Sequence, residues 1–477
     1  MLNPCDPGFV ARLAERLAES LAQPLAEGSL IAPEPRHLEE PRGRWLGQAG
    51  VVARPRTTAE VATIVRACHD ARVGVVPWGG GTGLVGGQVM PDGAAPLLLS
   101  LERMTGLRGA YPSENALVVE AGMILADVQA EAAKIGRLFP LTLASQGSCR
   151  IGGNLAANAG GVHVLRYGNA RDLCLGLEAV LPDGTVFNGL TRLRKDNAGY
   201  DLRHLLIGSE GTLSVITAAS LRLFPVPAAT VVALLAVPSP SAALDLLGLA
   251  QDRLSGMVSA FELIHRMGFD FLAETMPQLR APFDPLPDWM VLVELGMAAG
   301  LEPEVAMASL YAEAEDRGLV TDGVIAASQA QADGLWHLRE MLPEGNRRVG
   351  AVSSHDISLP LSKVPEFIAR APGEIAGLGE FRINCFGHLG DGNLHWNVFP
   401  ARGGNRKDHD AVRDTLKTRV HDLVHGMGGS VAAEHGVGRL KRADLQRYGD
   451  PGKLAAMRLI KTALDPHGIM NPGAVLA

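Results

Sequence analysis

A chain of 477 residues with 47% hydrophobic and 20% charged residues is long enough to bury a large core, so two or three domains are expected. Its formal net charge of −7 and the absence of a long basic run argue against a nucleic-acid partner. No apolar run approaches the length of a membrane span, so none is expected.

The cysteines and the N-terminus predict a cytoplasmic protein. Five cysteines, widely separated and odd in number, form neither a metal-binding pair nor a disulfide framework. Asp6, Glu15 and Glu19 are atypical of a targeting peptide. Buried thiols in a reducing compartment are the expectation.

The N-terminal part of the chain predicts helices and a β-α-β unit. A helix is predicted over residues 9–27, within an N-terminal helical segment 1–44. Thr57 and Glu60 form a capping box at the start of a second helix. Val73–Pro77 is typical of a strand, which completes the β-α-β unit.

A glycine-rich loop, residues 78–87, follows this strand. Residues 81–86 match the dinucleotide-binding pattern, with Glu102 as a candidate ribose-binding acid. That pattern requires a helix, whereas residues 91–93 (Pro-Asp-Gly) interrupt the chain and residues 96–101 predict a strand. We therefore reject a nicotinamide site and predict a backbone nest for a pyrophosphate.

Two further clusters of small residues support this interpretation. They lie at residues 144–161 and 199–217, with predicted strands at Leu175–Leu181 and Leu213–Phe224. Small residues let a backbone approach a planar ligand closely. Three such loops separated by strands predict a cofactor-binding domain.

Residues 385–398 predict a β-hairpin with a glycine-rich turn at residues 390–392. His388 and His395 lie one on each arm, and the pair Glu434-His435 follows later in the chain. Two imidazoles and a carboxylate with open positions are typical of a catalytic divalent-metal site. Surface or core histidines without a metal are the alternative.

The second half of the chain predicts a separate domain after the prolines near Val226. Strands and helices alternate there, which favours an antiparallel sheet with helices on one face. The strands are predicted at Val231–Val237, Met290–Leu295 and Val320–Ala326, and the helices at Ala242–Leu254, Glu304–Gly318 and Ser328–Met341.

The glycine-rich loops 77–87, 147–161 and 199–217, with the closing segment 465–473, resemble flavoproteins related to vanillyl-alcohol oxidase and p-cresol methylhydroxylase. Within that superfamily the chain is similar to the D-2-hydroxyacid dehydrogenase branch. The resemblance implies an α+β fold. Its implied parts are the helical segment 1–44, an FAD-binding domain of the p-cresol methylhydroxylase type at 45–226, an α+β substrate (cap) domain with an antiparallel sheet and the metal site at 227–440, and a C-terminal segment 441–477 that returns to the flavin.

The resemblance also implies an FAD whose pyrophosphate lies along residues 79–83. The cofactor is expected to be noncovalent, because loop 77–87 contains no histidine or cysteine that could attach it. The residues implied to lie at the cofactor are Trp78, Gly79, Gly80, Gly81, Thr82, Gly83, Leu84, Gly147, Ser148, Gly152, Asn154, Asn158, Gly160, Gly161, Gly211, Ile216 and Asn471.

The implied chemistry is the oxidation of a D-2-hydroxy acid to the 2-oxo acid. A metal chelated by the substrate hydroxyl and carboxylate would lower the hydroxyl pKa, while flavin N5 takes the hydride. Zinc is the first choice of metal, with manganese or iron as alternatives. The resemblance assigns the metal ligands to His388, His395 and Glu434, the general base to His435, and substrate binding to Arg339 and Asn397.

D-2-hydroxyglutarate is the first substrate that the resemblance implies. Where relatives selective for it carry a threonine and a lysine, this chain has Pro343 and Ser354, and His355, Arg347 or Arg348 are candidates to compensate. The alternatives are a D-lactate dehydrogenase, a glycolate oxidase flavin subunit, and a flavin electron-transfer protein without its own substrate. The implied partners are an electron-transfer flavoprotein or a quinone as acceptor, and a second copy of the chain in a homodimer.

Overall fold

A computed structural model describes residues 1–22 and 24–476. The strands are β1 (Leu30–Ile31), β2 (Val51–Ala53), β3 (Val75–Trp78), β4 (Leu97–Ser100), β5 (Leu107–Tyr111), β6 (Ala116–Glu120), β7 (Arg137–Leu138), β8 (Cys174–Val180), β9 (Val186–Gly189), β10 (Val215–Arg222), β11 (Phe224–Pro225), β12 (Ala229–Val237), β13 (Val258–His265), β14 (Trp289–Met297), β15 (Asp322–Ile325), β16 (Ser353–Ser358), β17 (Phe381–His388) and β18 (Asn393–Pro400). The α-helices are α1 (Pro7–Leu21), α2 (Pro35–Leu38), α3 (Thr58–Ala71), α4 (Leu125–Lys134), α5 (Ile151–Ala157), α6 (Val164–Tyr167), α7 (Leu202–Leu206), α8 (Pro240–Arg253), α9 (Arg266–Thr275), α10 (Pro303–Asp316), α11 (Gln329–Val349), α12 (Val364–Ile375), α13 (Arg413–Gly426), α14 (Arg442–Tyr448) and α15 (Pro451–Leu464). Within this described part of the chain, no helix combines the length and apolarity needed to cross a membrane.

The chain divides into two compact units, and each is built from discontinuous stretches. The first unit comprises residues 1–160, 168–226 and 434–477, and the second comprises residues 161–167 and 227–433. The end of the chain therefore belongs to the same unit as its beginning.

The four-stranded sheet of the first unit contains the predicted β-α-β unit. Its order is β1-β2-β4-β3, and both β2 and β3 pair in parallel with β4. Helix α3 begins at the predicted cap, where the Thr57 side chain accepts a hydrogen bond from the Glu60 backbone N–H. Val61, Ile64 and Val65 are buried along this helix, as their helical spacing requires.

A five-stranded antiparallel sheet forms the other main layer of the first unit, in the order β5-β6-β10-β8-β9. Strand β10 lies in the middle and is buried along nearly its whole length. Because both faces are buried, its sequence, Val-Ile-Thr-Ala-Ala-Ser-Leu-Arg, consists mainly of apolar and small residues and does not alternate between apolar and charged ones. The strands predicted at Leu175–Leu181 and Leu213–Phe224 correspond to β8 and to β10 with β11.

The second unit is built on one seven-stranded sheet in which every pairing is antiparallel. Its order is β15-β12-β14-β13-β17-β18-β16. Val232 and Leu234 of β12 pack in a core cluster with residues of α9 and α11. Val231 and Leu235, which point to the opposite face, are also buried, and α8 and α10 contact this strand. Helices therefore cover both faces, and the expectation of helices on one face is wrong.

Two helices, α1 and α11, end more than two residues away from the predicted position. Helix α1 ends at Leu21, where Ala22 adopts a left-handed conformation (φ 50°); Pro24 disfavours continuation, and Gln23 lies outside the described residues. Helix α11 continues past the predicted end to Val349 and includes Pro343, whose ring lies on the exposed side.

Candidate active site

The first and second glycine-rich loops of the first unit touch through their backbones. A Cβ atom added to Gly80 would lie 2.3 Å from the Ser148 carbonyl oxygen, and one added to Gly79 would lie 3.6 Å from Gly153 Cα. A Cβ at Gly80 would therefore force the two loops apart, whereas one at Gly79 would make ordinary van der Waals contact. The structure thus explains the glycine at position 80, where the two loops meet most closely.

The third glycine-rich loop and the C-terminal segment join the same assembly. Gly211 has φ +71°, and a Cβ there would meet the Pro77 ring at 2.9 Å. The Asn471 side-chain amide donates hydrogen bonds to the carbonyl oxygens of Gly87 (2.9 Å) and Glu210 (2.8 Å). Residues far apart in sequence thus form one cradle.

Unused hydrogen-bonding capacity and open space occur together in this cradle. Within residues 1–22 and 24–476, Trp78 Nε1 and Asn154 Oδ1 are buried and have no hydrogen-bond partner. Buried polar groups are nearly always satisfied, so these two atoms leave hydrogen-bonding capacity unused within the cradle. Cβ atoms added to Gly147 and Gly153 would have no atom within 4 Å, so the space beside these glycines is open. The predicted residues Thr82, Gly83, Leu84, Gly152, Gly160 and Ile216 belong to the same unit, and Gly161 belongs to the second unit.

Asn158, also predicted to lie at the cofactor, has a structural role of its own. It ends α5 in a left-handed conformation (φ 49°). Its side-chain oxygen accepts a hydrogen bond from the Arg171 backbone N–H at 3.0 Å. Asparagine tolerates this conformation better than most residues.

A cavity of about 640 Å³ opens beside the first glycine-rich loop. Its lining includes Trp78, Gly80 and Gly81 of the loop, with Arg36 and Trp45 from the N-terminal segment. The volume is in the range of small-molecule sites. Nothing in the local pattern of Arg36 and Trp45 links them to a loop so far along the chain, so the sequence does not predict their position here.

The dinucleotide-binding pattern at residues 81–86 lacks the structural context that it requires. No helix lies between β3 and β4, so the pattern at residues 81–86 lacks the helix N-terminus that binds a pyrophosphate. Glu102 forms ion pairs with Arg54 (2.6 Å) and Arg36 (3.2 Å). Its carboxylate therefore ties the N-terminal segment to the sheet.

The predicted histidine hairpin is confirmed in the second unit. Strands β17 and β18 pair antiparallel with Phe386 opposite His395, and Gly392 closes the turn with φ +77°. The rings of His388 and His395 have centroids 5.7 Å apart and planes 82° from parallel. The two imidazoles are therefore close enough to share one ion.

Glu262 of β13 joins this pair and was missed by sequence analysis. Its carboxylate is fully buried; Oε1 lies 2.6 Å from His388 Nδ1, while Oε2 accepts a hydrogen bond from Arg339 Nε (2.8 Å) and forms an ion pair with Nη2 (2.7 Å). Burial raises the pKa of Glu262, but His388 and Arg339 outweigh it and lower that pKa to about 2. A single acid in an apolar strand carries no periodic signal that would predict this arrangement.

Arg339 is not an exposed helical arginine paired along α11. Its side chain is buried, and the guanidinium carbon lies 5.1 Å from the centre of the Phe386 ring. Glu344 of α11 binds Arg347 and Arg348 instead. The structure thus brings Arg339 and His388 to opposite oxygens of one carboxylate.

Asn397 lies in a row of neutral polar residues on the same sheet. It is opposite Asn384 of β17 and Ser354 of β16, and its amide donates to the His395 carbonyl oxygen at 3.2 Å. His355 alternates to the other face and lies beside the Trp396 ring, at 5.8 Å between centroids. Ser354 occupies the position where relatives carry a lysine. The row therefore contains none of the candidates for that lysine's role, which are His355, Arg347 and Arg348.

The segment before Glu434 is anchored to β16 within the second unit. Ser430 and Ser358 exchange backbone hydrogen bonds of 2.8 and 2.9 Å. The Ala433 N–H lies 3.4 Å from the Asp356 carbonyl oxygen, and Asp356 is directly opposite His395. The chain therefore passes the histidine hairpin immediately before it reaches Glu434.

Within the first unit, the segment after Ala433 is held by a buried carboxylate. Glu434 Oε1 lies 3.3 Å from His435 Nε2. The two oxygens of Glu210 accept hydrogen bonds from the backbone N–H groups of Val437 and Gly438, each at 2.8 Å. Glu210 thus fixes the backbone just beyond His435, and sequence analysis did not predict it.

Two family profiles match the chain, and together they cover most of it. An FAD binding domain matches residues 49–189, and the C-terminal domain of FAD linked oxidases matches residues 226–475. The mitochondrial D-2-hydroxyglutarate dehydrogenase of Bos taurus is 38% identical over 94% of this chain and 81% of its own length. A D-2-hydroxyglutarate dehydrogenase of Xanthomonas citri pv. viticola is 37% identical over 90% of each chain.

Solved structures with low sequence identity share the fold. p-Cresol methylhydroxylase with substrate bound superposes with a TM-score of 0.76 at 14% identity, over 100% of this chain and 98% of its own. The 4-ethylphenol oxidase of Gulosibacter chungangensis gives 0.71 at 15% identity, over 100% and 98%. The predicted fold class is confirmed. The chain therefore belongs to the FAD-linked oxidase family, in the group that includes the D-2-hydroxyglutarate dehydrogenases, and is an FAD-binding oxidoreductase.

Proposed function

We propose that this protein oxidises a D-2-hydroxy acid to the 2-oxo acid with FAD and a divalent metal, and that D-2-hydroxyglutarate is its substrate. The observation that carries this proposal is the pair of crossed imidazoles, His388 and His395, beside the Glu262–Arg339 ion pair. In the proposed reaction a metal ion chelates the hydroxy acid and a cationic side chain binds its carboxylate. This part of the sheet offers His388 and His395 as ligands for the metal and supplies Arg339 as the cationic side chain. The names of the relatives support the choice of substrate.

The donors in the second unit fit a divalent metal. An ionised carboxylate only accepts hydrogen bonds, so Glu262 makes His388 Nδ1 the donor and leaves the ring's lone pair on Nε2. We infer that Glu434, the residue after Ala433, supplies the carboxylate of a His388–His395–Glu434 site, with zinc as the first choice. A metal bound there would lower the pKa of a chelated hydroxyl.

Three side chains of the protein then bind the substrate and accept its proton. Arg339 binds the C1 carboxylate through the guanidinium edge that Glu262 does not occupy, and Asn397 orients the substrate from the adjacent strand. His435 accepts the hydroxyl proton. Its backbone is fixed by the hydrogen bonds from Val437 and Gly438 to Glu210.

The glycine-rich cradle holds the flavin without a covalent bond in this proposal. Each of the five cysteines is buried, and residues 77–87 contain no histidine. When bound, FAD supplies the hydride acceptor. The electron-transfer flavoprotein or quinone acceptor, the homodimer and the cytoplasmic location stay predictions.

D-lactate dehydrogenase is the second candidate, and one observation favours it. Asn397, Asn384 and Ser354 form a neutral row, with no lysine at Ser354 to bind a distal carboxylate. A monocarboxylate would need no such cation. A glycolate oxidase flavin subunit or an electron-transfer protein would instead show little or no reduction by hydroxy acids when purified alone.

The test is anaerobic flavin bleaching of the purified protein with a panel of hydroxy acids. We expect D-2-hydroxyglutarate to bleach the flavin absorbance faster than D-lactate, and metal removal by a chelator to abolish bleaching until zinc is restored. L-2-hydroxyglutarate is the matched control, because it differs only in configuration at C2. Bleaching that persists after verified metal removal would contradict the proposed role of the metal. A flavin that no hydroxy acid bleaches would contradict the proposed oxidation of a 2-hydroxy acid.

A further inference from the structure

Glu262 is a charged residue in the middle of a hydrophobic sheet. It lies on β13, between β14 and β17, and is directly opposite His388. Its side chain has no solvent exposure. A buried carboxylate is costly unless hydrogen bonds and opposite charge compensate it, so its presence here calls for a specific reason.

The two oxygens of Glu262 serve two different partners. Oε1 accepts a hydrogen bond from His388 Nδ1 at 2.6 Å, and Oε2 accepts one from Arg339 Nε at 2.8 Å and forms an ion pair with Nη2 at 2.7 Å. The first contact fixes the ring's rotation and tautomer, as carboxylates do behind metal-bound histidines. The second contact fixes the guanidinium plane.

We infer that Glu262 is a positioning residue that sets the metal ligand and the substrate clamp at one fixed separation. This inference rests on the proposed function, since it assigns the metal to His388 Nε2 and the C1 carboxylate to Arg339. A 2-hydroxy acid presents its hydroxyl and carboxylate oxygens on adjacent carbons. Because the Glu262 carboxylate contacts both His388 and Arg339, it holds these two side chains at a spacing suited to the two substrate oxygens.

The chain offers a matched control on the next strand. Glu294 of β14 is opposite Ala260 of β13. It also binds a helix α11 side chain and a histidine: Trp336 Nε1 donates to Oε2 at 2.9 Å, and His163 Nε2 lies 3.2 Å from Oε1. Glu294→Gln therefore makes the same chemical change in the same sheet but touches neither His388 nor Arg339.

The experiment measures the Zn²⁺ affinity of the resting, FAD-loaded full chain by competition with a chromogenic chelator, for wild type, Glu262→Gln and Glu294→Gln. Glutamine has one acceptor oxygen where the site presents donors to two. We expect Glu262→Gln to weaken Zn²⁺ binding roughly 10–100-fold and to raise the KM for the hydroxy acid. We expect Glu294→Gln to retain wild-type Zn²⁺ affinity, and both variants to retain FAD.

The outcomes separate the two proposals. Wild-type protein that binds no Zn²⁺ would overturn the proposed metal site, and the role of Glu262 with it. Equal Zn²⁺ affinity in wild type and Glu262→Gln would overturn only the role of Glu262. If Glu262→Gln does not fold with FAD, Glu262→Asp takes its place; it keeps the charge but shortens the reach, and unchanged Zn²⁺ affinity and KM in that variant would overturn the inference.

Discussion

Glu210 shows at the residue scale how one buried carboxylate can organise a loop. Its backbone is left-handed (φ 52°), and its side chain accepts hydrogen bonds from the backbone N–H groups of Val437 and Gly438. Gly436 has φ +82°, and a Cβ there would lie 2.8 Å from Glu210 Oε1, so this position favours glycine. Through these contacts the third glycine-rich loop fixes the backbone next to His435.

Glu210 also predicts a pH dependence. Burial raises its pKa, opposed by the N–H groups of Val437 and Gly438. A carboxyl group whose pKa is higher in the folded than in the unfolded protein binds more protons when the protein is folded. Its favourable contribution to the free energy of unfolding is present below the unfolded pKa, about 4.3. That contribution is lost as the pH rises through the folded pKa. We therefore expect the thermal midpoint of wild type, relative to Glu210→Gln, to fall as pH rises from about 4.3 and then to level off. Flavin fluorescence at a series of pH values measures this, and a difference that increases with pH would contradict the assignment.

At the scale of an element, the end of α15 forms a buried network that holds the C-terminal turn. The Asp465 side chain is buried and accepts from the backbone N–H groups of Ile469 and Met470 and from Lys461 Nζ. Lys461 Nζ also donates to the carbonyl oxygens of Thr212 and Met470. The helix end therefore positions the segment that leads to Asn471.

We predict that Asp465→Ala destabilises the protein by about 3–5 kcal/mol, because it leaves the Lys461 ammonium partly buried without its counter-ion. Asp450→Ala is the control at the other end of α15, where the Asp450 side chain caps the Lys453 N–H. Loss of an N-cap costs only about 1 kcal/mol. Thermal denaturation compares the two variants, and equal losses would rule out a special role for the Asp465 network.

At the scale of the whole molecule, the first unit is completed by the end of the chain. The Val75 N–H donates to the Ile469 carbonyl oxygen at 2.7 Å, and the Asn471 N–H donates to the Val75 carbonyl oxygen at 2.8 Å. Ile469 and Met470 are fully buried. The C-terminal segment is therefore part of the core beside β3 rather than an appendage.

A chain that ends at Ala433 is expected to lose FAD binding, because it lacks these core residues and the Asn471 ties between the loops. The control is the 477-residue chain with Glu434→Ala and His435→Ala, which removes both side chains proposed to act in the reaction but keeps the segment. We expect the control to purify with flavin absorbance and the truncated chain to lack it. Stoichiometric flavin in the truncated chain would contradict this view of the first unit.

The sequence by itself determined the features that depend on neighbouring residues. The turn at Gly392 and the flanking apolar strands predict the hairpin of His388 and His395, and capping at Thr57 predicts α3, because turn and cap preferences act over a few residues. The density of glycines near residues 78–87 likewise predicts a cradle, since only glycine permits such close backbone approach.

Only the tertiary structure decided which carboxylates contact these elements. Glu262 meets His388 and Arg339, and Glu210 meets the backbone beyond His435, across long stretches of chain. Neither acid has a local pattern that distinguishes it from a satisfied core residue or a surface charge. Their roles arise from strand register and loop packing, which bring distant residues together and which local sequence preferences do not encode.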